Sequence, residues 1–564
     1  FHHTIYTDPQ QLVADQHKWW RWVGEESLSG GTIGLWEGGG TFPCGQRRPS
    51  QHSMMWWLGF YFDQVGREHM TYRITGRRNA NAMSLVHTPL GEVGPEDVVW
   101  VETQHPKYHE LTVSWRVNGQ LVPGTGNSRN LDLAGLDVAA GDVVQVTVQD
   151  ETDFVRDPAF KSGPRMTQTR QWTVGAPQTP TAADPAFTLS TPTDRPVGGE
   201  DVVFVETTHT TDRVLDVTWR LDGAIVPNPA NSRNFDLGAQ GLAAGTHDLS
   251  ATVTDPASPG GASETRSWTV DNVLPTAPRE LSEPLTALSQ VTEHNVYFGE
   301  FDMGLEPTDD QPGFVVGELR ENGDGWFNYF GFPDQPFGTP FTFSHSGKVV
   351  KALTYGNLGT GGLSKAAFEQ TFPDFEPGYS THSIEHRAID AAGNIGDADH
   401  FQATVLPGGS PACTTTLSGD KINKLVVTSG VTCIDGGTVT GGVRVLPGAS
   451  LVVADGSRIN GGLRADGADV VHVFGAMVNG DSVISGTTGD LIVAGSAFNG
   501  SLAVSDNHSS DVTIPSGETR NYGVGLVGNT VSENLACSGN DPGVTDFDAP
   551  NDVDGVKSGQ CAAL

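Results

Sequence analysis

From about residue 90 onward, the chain runs in short stretches of alternating apolar and polar residues, each closed by Gly, Asn, Asp or Pro. Period-two alternation predicts strands with one buried face, and closely spaced turn signals predict sandwiches or barrels. One set of runs occurs twice. Residues 97–102, 111–119, 127–133 and 170–174 return as 201–206, 215–223, 231–237 and 266–270. Trp115 and Trp219, Asn127 and Asn231, and Gly141 and Gly245 each lie 104 apart, so the copies share one register. This predicts two immunoglobulin-like sandwiches over 89–176 and 177–272, with Trp115 and Trp219 buried between their sheets. Each copy also carries Asn-Ser-Arg-Asn before an alternating strand. An exposed Arg there would suit a ligand, whereas Asn making side-chain-to-backbone turn bonds suits the position better.

The pattern changes twice more. Residues 273–408 follow a Pro-rich linker and hold an aromatic cluster (Trp326, Phe327, Tyr329, Phe330, Phe332, Phe337) on a Gly/Pro-broken background. The ending at residues 385–394 resembles the last strands of bacterial extracellular immunoglobulin-like or fibronectin-like domains. The aromatic rings suit either a sugar-stacking platform or a packed core. Glu321, Asn322 and Asp324 offer oxygen ligands for calcium but lack the full spacing of a calcium loop.

Residues 409–564 repeat on a longer period. Val439, Ile459, Val478 and Phe498 each open a unit closed by Gly-Gly or Asn-Gly, at steps of 20, 19 and 20. That pattern predicts a parallel β-helix with inward aliphatics and Asn/Gly corners that tolerate left-handed backbone. Asn at equivalent corners would stack as a ladder. Steps of 20, 20 and 19 place Val443, Leu463, Val483 and Leu502 in one inward column, each after a corner, with Gly461 sensitive through backbone strain. Arg444, Arg458 and Arg464 lie near Asp455, Asp466 and Asp469 without the signature of a polysaccharide-cleaving groove.

Composition narrows the classes. The 564 residues carry a net charge of −34 with 71 Gly and 34 Pro, which fits a turn-rich, mainly β, multidomain protein. Acidity spread along the chain disfavours nucleic acid and acidic membrane surfaces as partners, and no apolar run is long enough to span a membrane. Of the five cysteines, Cys413 and Cys433 flank the start of the last region and Cys537 and Cys561 its end. Pairing within each end closes loops of about twenty residues and implies an oxidising setting, secreted or at the cell surface. Cys44 is left over, either paired outside this chain or a buried free thiol.

The first 88 residues carry a different signal. Lys18, Trp19 and Trp22 open it, followed by Gly34, Glu37 and Gly38, then Arg48-Pro49-Ser50 and His52-Ser53-Met54-Met55. In this order the segment resembles the C-terminal part of the catalytic domain of secreted zinc metallopeptidases of the IgA-specific endopeptidase family. The resemblance implies a partial metzincin-like α/β region in which Ser53, Met54 and Met55 form a Met-turn beneath the metal. It also implies zinc in the parent protease and a protein or glycoprotein substrate. No His-Glu-x-x-His occurs in the sequence, and the first residue is Phe1, so the expectation is either a processed form or part of something longer, with the N-terminal half a candidate partner and no catalytic or metal site among its own residues. His382-Ser-Ile-Glu-His386 matches an inverted zinc motif in form only. Its alternation reads as a strand, which would hold the two His about 13 Å apart. The leading expectation is thus the substrate-side and accessory part of a secreted metallopeptidase. The alternatives are a surface adhesion or self-assembling protein with a polysaccharide-binding β-helix, and a β-helix carbohydrate-active enzyme.

Overall fold

A computed structural model of the chain describes residues 3–27, 29–40, 42–51, 53, 61–75, 88–179, 184–281, 286–288, 294–298, 300–311, 313, 315–321, 323, 325–328, 341–344, 380–406, 410–454, 456–509, 512–513, 519–520, 523–547 and 549–564. It is mainly β, with immunoglobulin-like sandwiches and a C-terminal parallel β-solenoid.

The N-terminal unit is small and mixed. Helices Pro9–Ala14 and Gln64–Thr75 flank a hairpin of Trp36–Gly39 with Phe42–Arg48. Leu12, Trp19, Trp22, Ile33, Leu35 and Val65 form its core, so the tryptophan pair of the opening motif packs inward. The indole N–H groups of Trp19 and Trp22 reach the Gly34 carbonyl and the Glu68 carboxylate, which offsets the cost of burying them.

The first sandwich sets a sheet of Gln120–Leu121, Thr112–Val117, Val143–Gln149 and Thr167–Thr173 against the pair Val98–Trp100 and Asn130–Asp132. The second has the same arrangement with more strands. Its two sheets are Val197–Gly198, Ser263–Asp271, Thr246–Thr254, Asp216–Leu221 and Ala224–Val226, and Asn234–Asp236, Val202–Thr207 and Phe187–Ser190. Trp115 and Trp219 are 0% and 1% exposed, and each donates its indole N–H to the carbonyl of the equivalent serine, Ser128 or Ser232. Asn127 and Asn231 accept from the backbone N–H of Val113 and Val217. The Asn-Ser-Arg-Asn motif therefore builds a turn, and both of its arginines are buried.

Residues 279–406 pair a three-stranded with a six-stranded sheet around Tyr297, Phe301, Met303, Ile384 and Phe401. Trp326 is buried, with Arg387 over its ring at 3.9 Å and Arg320 at 4.9 Å. Its ring thus serves as core, and Tyr329, Phe330, Phe332 and Phe337 lie outside the described residues.

The solenoid has three parallel sheets of seven described strands each. Its axis is filled by aliphatics, among them Val443, Leu463 and Leu502, all at most 2% exposed. The expected fourth member, Val483, is 38% exposed, and Ser482, at 1%, occupies the column instead. Leu463 and Ser482 each sit three residues after a corner asparagine, Asn460 and Asn479, which are 19 apart. Alignment from the corner absorbs the missing residue, and Val483 pairs with outward-facing Arg464. The Leu463 N–H donates to Ser482 Oγ, which accounts for a hydroxyl in the core.

The corners also differ from expectation in mechanism. Gly461 and Gly462 are not left-handed. A Cβ on Gly461 would lie 2.6 Å from the Gly442 nitrogen, and one on Gly462 would collide with the Asp481 carbonyl. Glycine is required there because consecutive rungs touch backbone to backbone. Left-handed glycines occupy other turns, such as Gly467 and Gly486. The asparagine ladder forms, with Asn479 donating to Asn460 (3.0 Å) and Asn499 donating to Asn479 (2.6 Å).

One outer face of the solenoid is covered. Strands Ser450–Val453, Val471–Phe474 and Leu491–Ala494 are buried at every position. Phe474, Ile492, Ala494, Val527, Phe547 and Ala549 close around Val296 from the preceding sandwich, which fastens the solenoid along its side. Disulfides Cys413–Cys433 and Cys537–Cys561 join neighbouring rungs at the two ends, and Cys44 is a free, exposed thiol.

Candidate functional site

Part of the peptidase-like motif, Glu37, Gly38, Ser50 and Gln51, is gathered around the Arg48 guanidinium. Arg48 donates to the carbonyls of Glu37 and Gly38, and also to those of Ser50 and Gln51 (3.1 and 3.0 Å). Arg47 forms an ion pair with the Glu37 carboxylate at 2.9 Å, and the Pro49 carbonyl accepts from Gly34 N–H. Glu37, Gly38, Arg48 and Pro49 thus hold a hairpin to the loop after it. Ser53 is buried at the end of that loop, while His52, Met54 and Met55 lie outside the described residues.

The described residues do not fit a catalytic zinc. His382 and His386 lie on the strand Ser380–Ile389 and are almost fully buried. His382 Nδ1 is 2.6 Å from Glu321, and His386 Nε2 is 3.5 Å from Asp399. A strand separates such residues by about 13 Å, and the imidazoles have separate partners, Glu321 for His382 and Arg279 (3.2 Å) with Asp399 for His386. Glu321, one of the calcium candidates, is thereby occupied, and Asn322 and Asp324 lie outside the described residues.

Three carboxylates gather elsewhere. Asp271, Asp309 and Asp310 bring ligand oxygens within 4.8 Å of one another where the second sandwich meets the third unit. Burial and the facing charges of Asp309, Asp390 and Asp310 push Asp271 up to about 6. An all-oxygen donor set of this kind matches hard cations such as calcium or magnesium rather than zinc.

A cleft of about 320 Å³ separates the N-terminal unit from the first sandwich, lined by Lys18, Arg21, Glu68, His69, Tyr72 and Phe160. Tyr72 stacks on Phe160 at 4.2 Å, and Arg165 covers the Tyr72 ring. The N-terminal unit is tied to two neighbours. Glu68 accepts from the Arg156 backbone N–H, and Tyr61 donates to Glu318 of the third unit at 2.5 Å. Glu318 is fully buried and also paired with Arg387.

The joint between the two sandwiches holds a buried polar cluster. Arg129 Nη1 lies 2.6 Å from Glu206 Oε1, and His105 Nε2 is 3.0 Å from the same oxygen. Burial would push the Glu206 carboxyl up, but the bonds from His105 and Arg129 outweigh it and hold it below its usual value. Burial holds the His105 imidazole below its usual value. Sequence reading found the arginine and took it for a turn residue. The repeated Glu102/Glu206 and His105/His209 were the available signal.

No protein-family model matches the chain, and no curated protein does. Among solved structures it is similar to the fibronectin(III)-like modules of CbhA from Clostridium thermocellum, at 11% identity over 40% of this chain and 94% of that one, TM-score 0.20. It is also similar to the insect immune protein hemolin, at 10% identity over 58% of this chain and 76% of that one, TM-score 0.24. A third is SGBP-B of the mixed-linkage glucan utilization locus of Bacteroides ovatus, at 12% identity over 58% and 68%, TM-score 0.11. These likenesses concern the fold of the sandwiches. The two disulfides fit an oxidising compartment, and no described helix is long and apolar enough to cross a membrane.

Proposed function

We propose that the chain serves outside the cell as the substrate-side and accessory part of a secreted zinc metallopeptidase, holding a protein or glycoprotein while a catalytic segment, supplied elsewhere, provides the zinc ligands. The observation that carries this reading is the fastening of the peptidase-like unit to two sandwiches at once, through Glu68 to Arg156 and through Tyr61 to Glu318. A unit held from both sides keeps a fixed orientation, which substrate positioning demands. Because no described donor set fits zinc, no hydrolytic step is assigned to this chain. The test is zinc content, casein cleavage and capture of secreted glycoproteins by the purified chain. The expected result is capture without tightly bound zinc or chelator-sensitive cleavage. One equivalent of zinc together with chelator-sensitive cleavage would overturn the reading, as would failure to capture any glycoprotein that the zinc-bearing parent cleaves.

The exposed asparagine ladder at Asn460, Asn479 and Asn499 favours a second reading, adhesion to polysaccharide along the solenoid. Evenly spaced amides on a rigid rod match the repeating hydroxyls of an extended glycan.

A further inference from the structure

The contacts between the two sandwiches obey a pseudo-two-fold rule that links residue i of one to residue i+104 of the other. Trp100 stacks on His209 at 3.7 Å and 3°, and the mirror pair, His105 on Phe204, stacks at 3.7 Å and 4°. Glu102 bonds His209 at 2.8 Å, and Glu206 bonds His105 at 3.0 Å. Val98 N–H donates to the Thr211 carbonyl and Val202 N–H to the Lys107 carbonyl, both at 2.7 Å. On a two-fold axis a residue must meet its own counterpart. Gly126 does so, since a Cβ there would lie 3.3 Å from the Cβ of Ala230. The symmetry breaks where the residues differ, as at Lys107, which pairs with Asp201 while its counterpart is Thr211, and also at the paired arginines. Arg129 takes Glu206, whereas its counterpart Arg233 turns to the Leu215 carbonyl and Asn231.

An interface in which the same patch appears on both sides is isologous, the form taken by two-fold homodimers. We infer that this joint is a self-recognition surface, and that its partner outside the monomer is a second copy of this chain, reached by reciprocal exchange of the two sandwiches. This inference is independent of the proposed function. In the exchanged dimer the first sandwich of each chain packs on the second sandwich of the other, and every contact of the closed joint is remade. Closed and exchanged joints make the same contacts, so the balance between them follows the effective concentration of tethered modules, on the order of millimolar. Exchange is therefore suppressed in dilute solution and favoured where chains are crowded.

A charge-reversal pair tests this in the full chain. R129E sets two carboxylates against each other across its own joint, and E206R sets two guanidiniums against each other. Exchange between the two variants places the introduced carboxylate against the introduced guanidinium in one joint and restores Arg129 against Glu206 in the other. Each variant alone is expected to remain at 59.7 kDa, while an equimolar mixture forms a 1:1 dimer of twice that mass by light scattering and native mass spectrometry. Two monomers persisting in the mixture, with each variant retaining its near-ultraviolet tryptophan signal, would overturn the inference. Should a variant fail to fold, wild-type chains of two isotopic masses concentrated to about 1 mM and then diluted must show mixed dimers. Only unmixed monomers would overturn it equally.

Discussion

Replacing Leu463 with Ala is the sharpest probe of the solenoid's register. Leu463 is fully buried, with Val443 and Ser482 in the neighbouring rungs of its column. Backbone ladders hold the rungs on either side, so the site cannot collapse to fill the space. The cost belongs in the upper part of the range for buried Leu→Ala, about 3–5 kcal/mol. Val483, counted inward by a simple twenty-residue step, is 38% exposed, and Val483→Ala removes little buried surface. Its expected cost is below about 0.5 kcal/mol. Hydrogen exchange on peptides spanning residues 443–504 measures both locally, without requiring the whole chain to unfold in one step. Since about 1.4 kcal/mol is tenfold in an equilibrium constant, Leu463→Ala should lower protection by roughly two to three orders of magnitude and Val483→Ala by less than threefold. If Val483→Ala loses as much protection as Leu463→Ala, the assignment of Ser482 to the column is wrong.

Three further outcomes follow from other parts of the chain. Trp219→Ala should cost about 3–5 kcal/mol in urea unfolding of the second sandwich, because the variant leaves both a cavity and the Ser232 carbonyl without its indole donor; a loss below about 1 kcal/mol would exclude Trp219 as a core residue. Asp271, pushed up to about 6 by burial and neighbouring carboxylates, binds its proton more tightly folded than unfolded, so its destabilising effect is absent below about pH 4, grows through pH 4–6 and is complete above 6. Asp271→Asn should accordingly raise Tm at pH 7.5 and leave it unchanged at pH 3.5, and a lower Tm at pH 7.5 would contradict the account. Replacing Cys433 with Ser releases a closure of 20 residues, worth about 3 kcal/mol, and should increase exchange in the first two rungs while leaving the last two unaffected.

Much of the fold was legible because it is written in repeats. The 104-residue offset shared by residues 97–141 and 201–245 marked out the two sandwiches, and corners at Asn460, Asn479 and Asn499 marked out the solenoid. The error at Val483 arose because a 19-residue rung does not say where it is short. Only the backbone contact between Gly480 and the Gly461–Gly462 step makes the corner the fixed point. The buried stacks of Asn529 with Asn551 and of Asn507 with Asn540 were also missed, since asparagine in a Gly-rich chain reads as a surface turn. The joint between the sandwiches escaped for a related reason. Polar Glu102, His105, Glu206 and His209 look like solvated strand ends until two modules are placed face to face. The N-terminal motifs were legible as a pattern, and their geometry showed one arginine organising the peptides around it.

The two disulfides lie at opposite ends of the solenoid and bind only terminal rungs to their neighbours. A linear stack has no closed core, and apart from the side contact at Val296 each rung leans on those beside it. Loss of order in such a rod begins by peeling at a tip. Staples at the tips therefore act on the initiation of peeling rather than on the strength of any interior layer, and their effect is a longer lifetime more than a deeper energy minimum. Where a chain is destroyed by its first excursion into disorder, that placement lets two covalent bonds protect every rung between them.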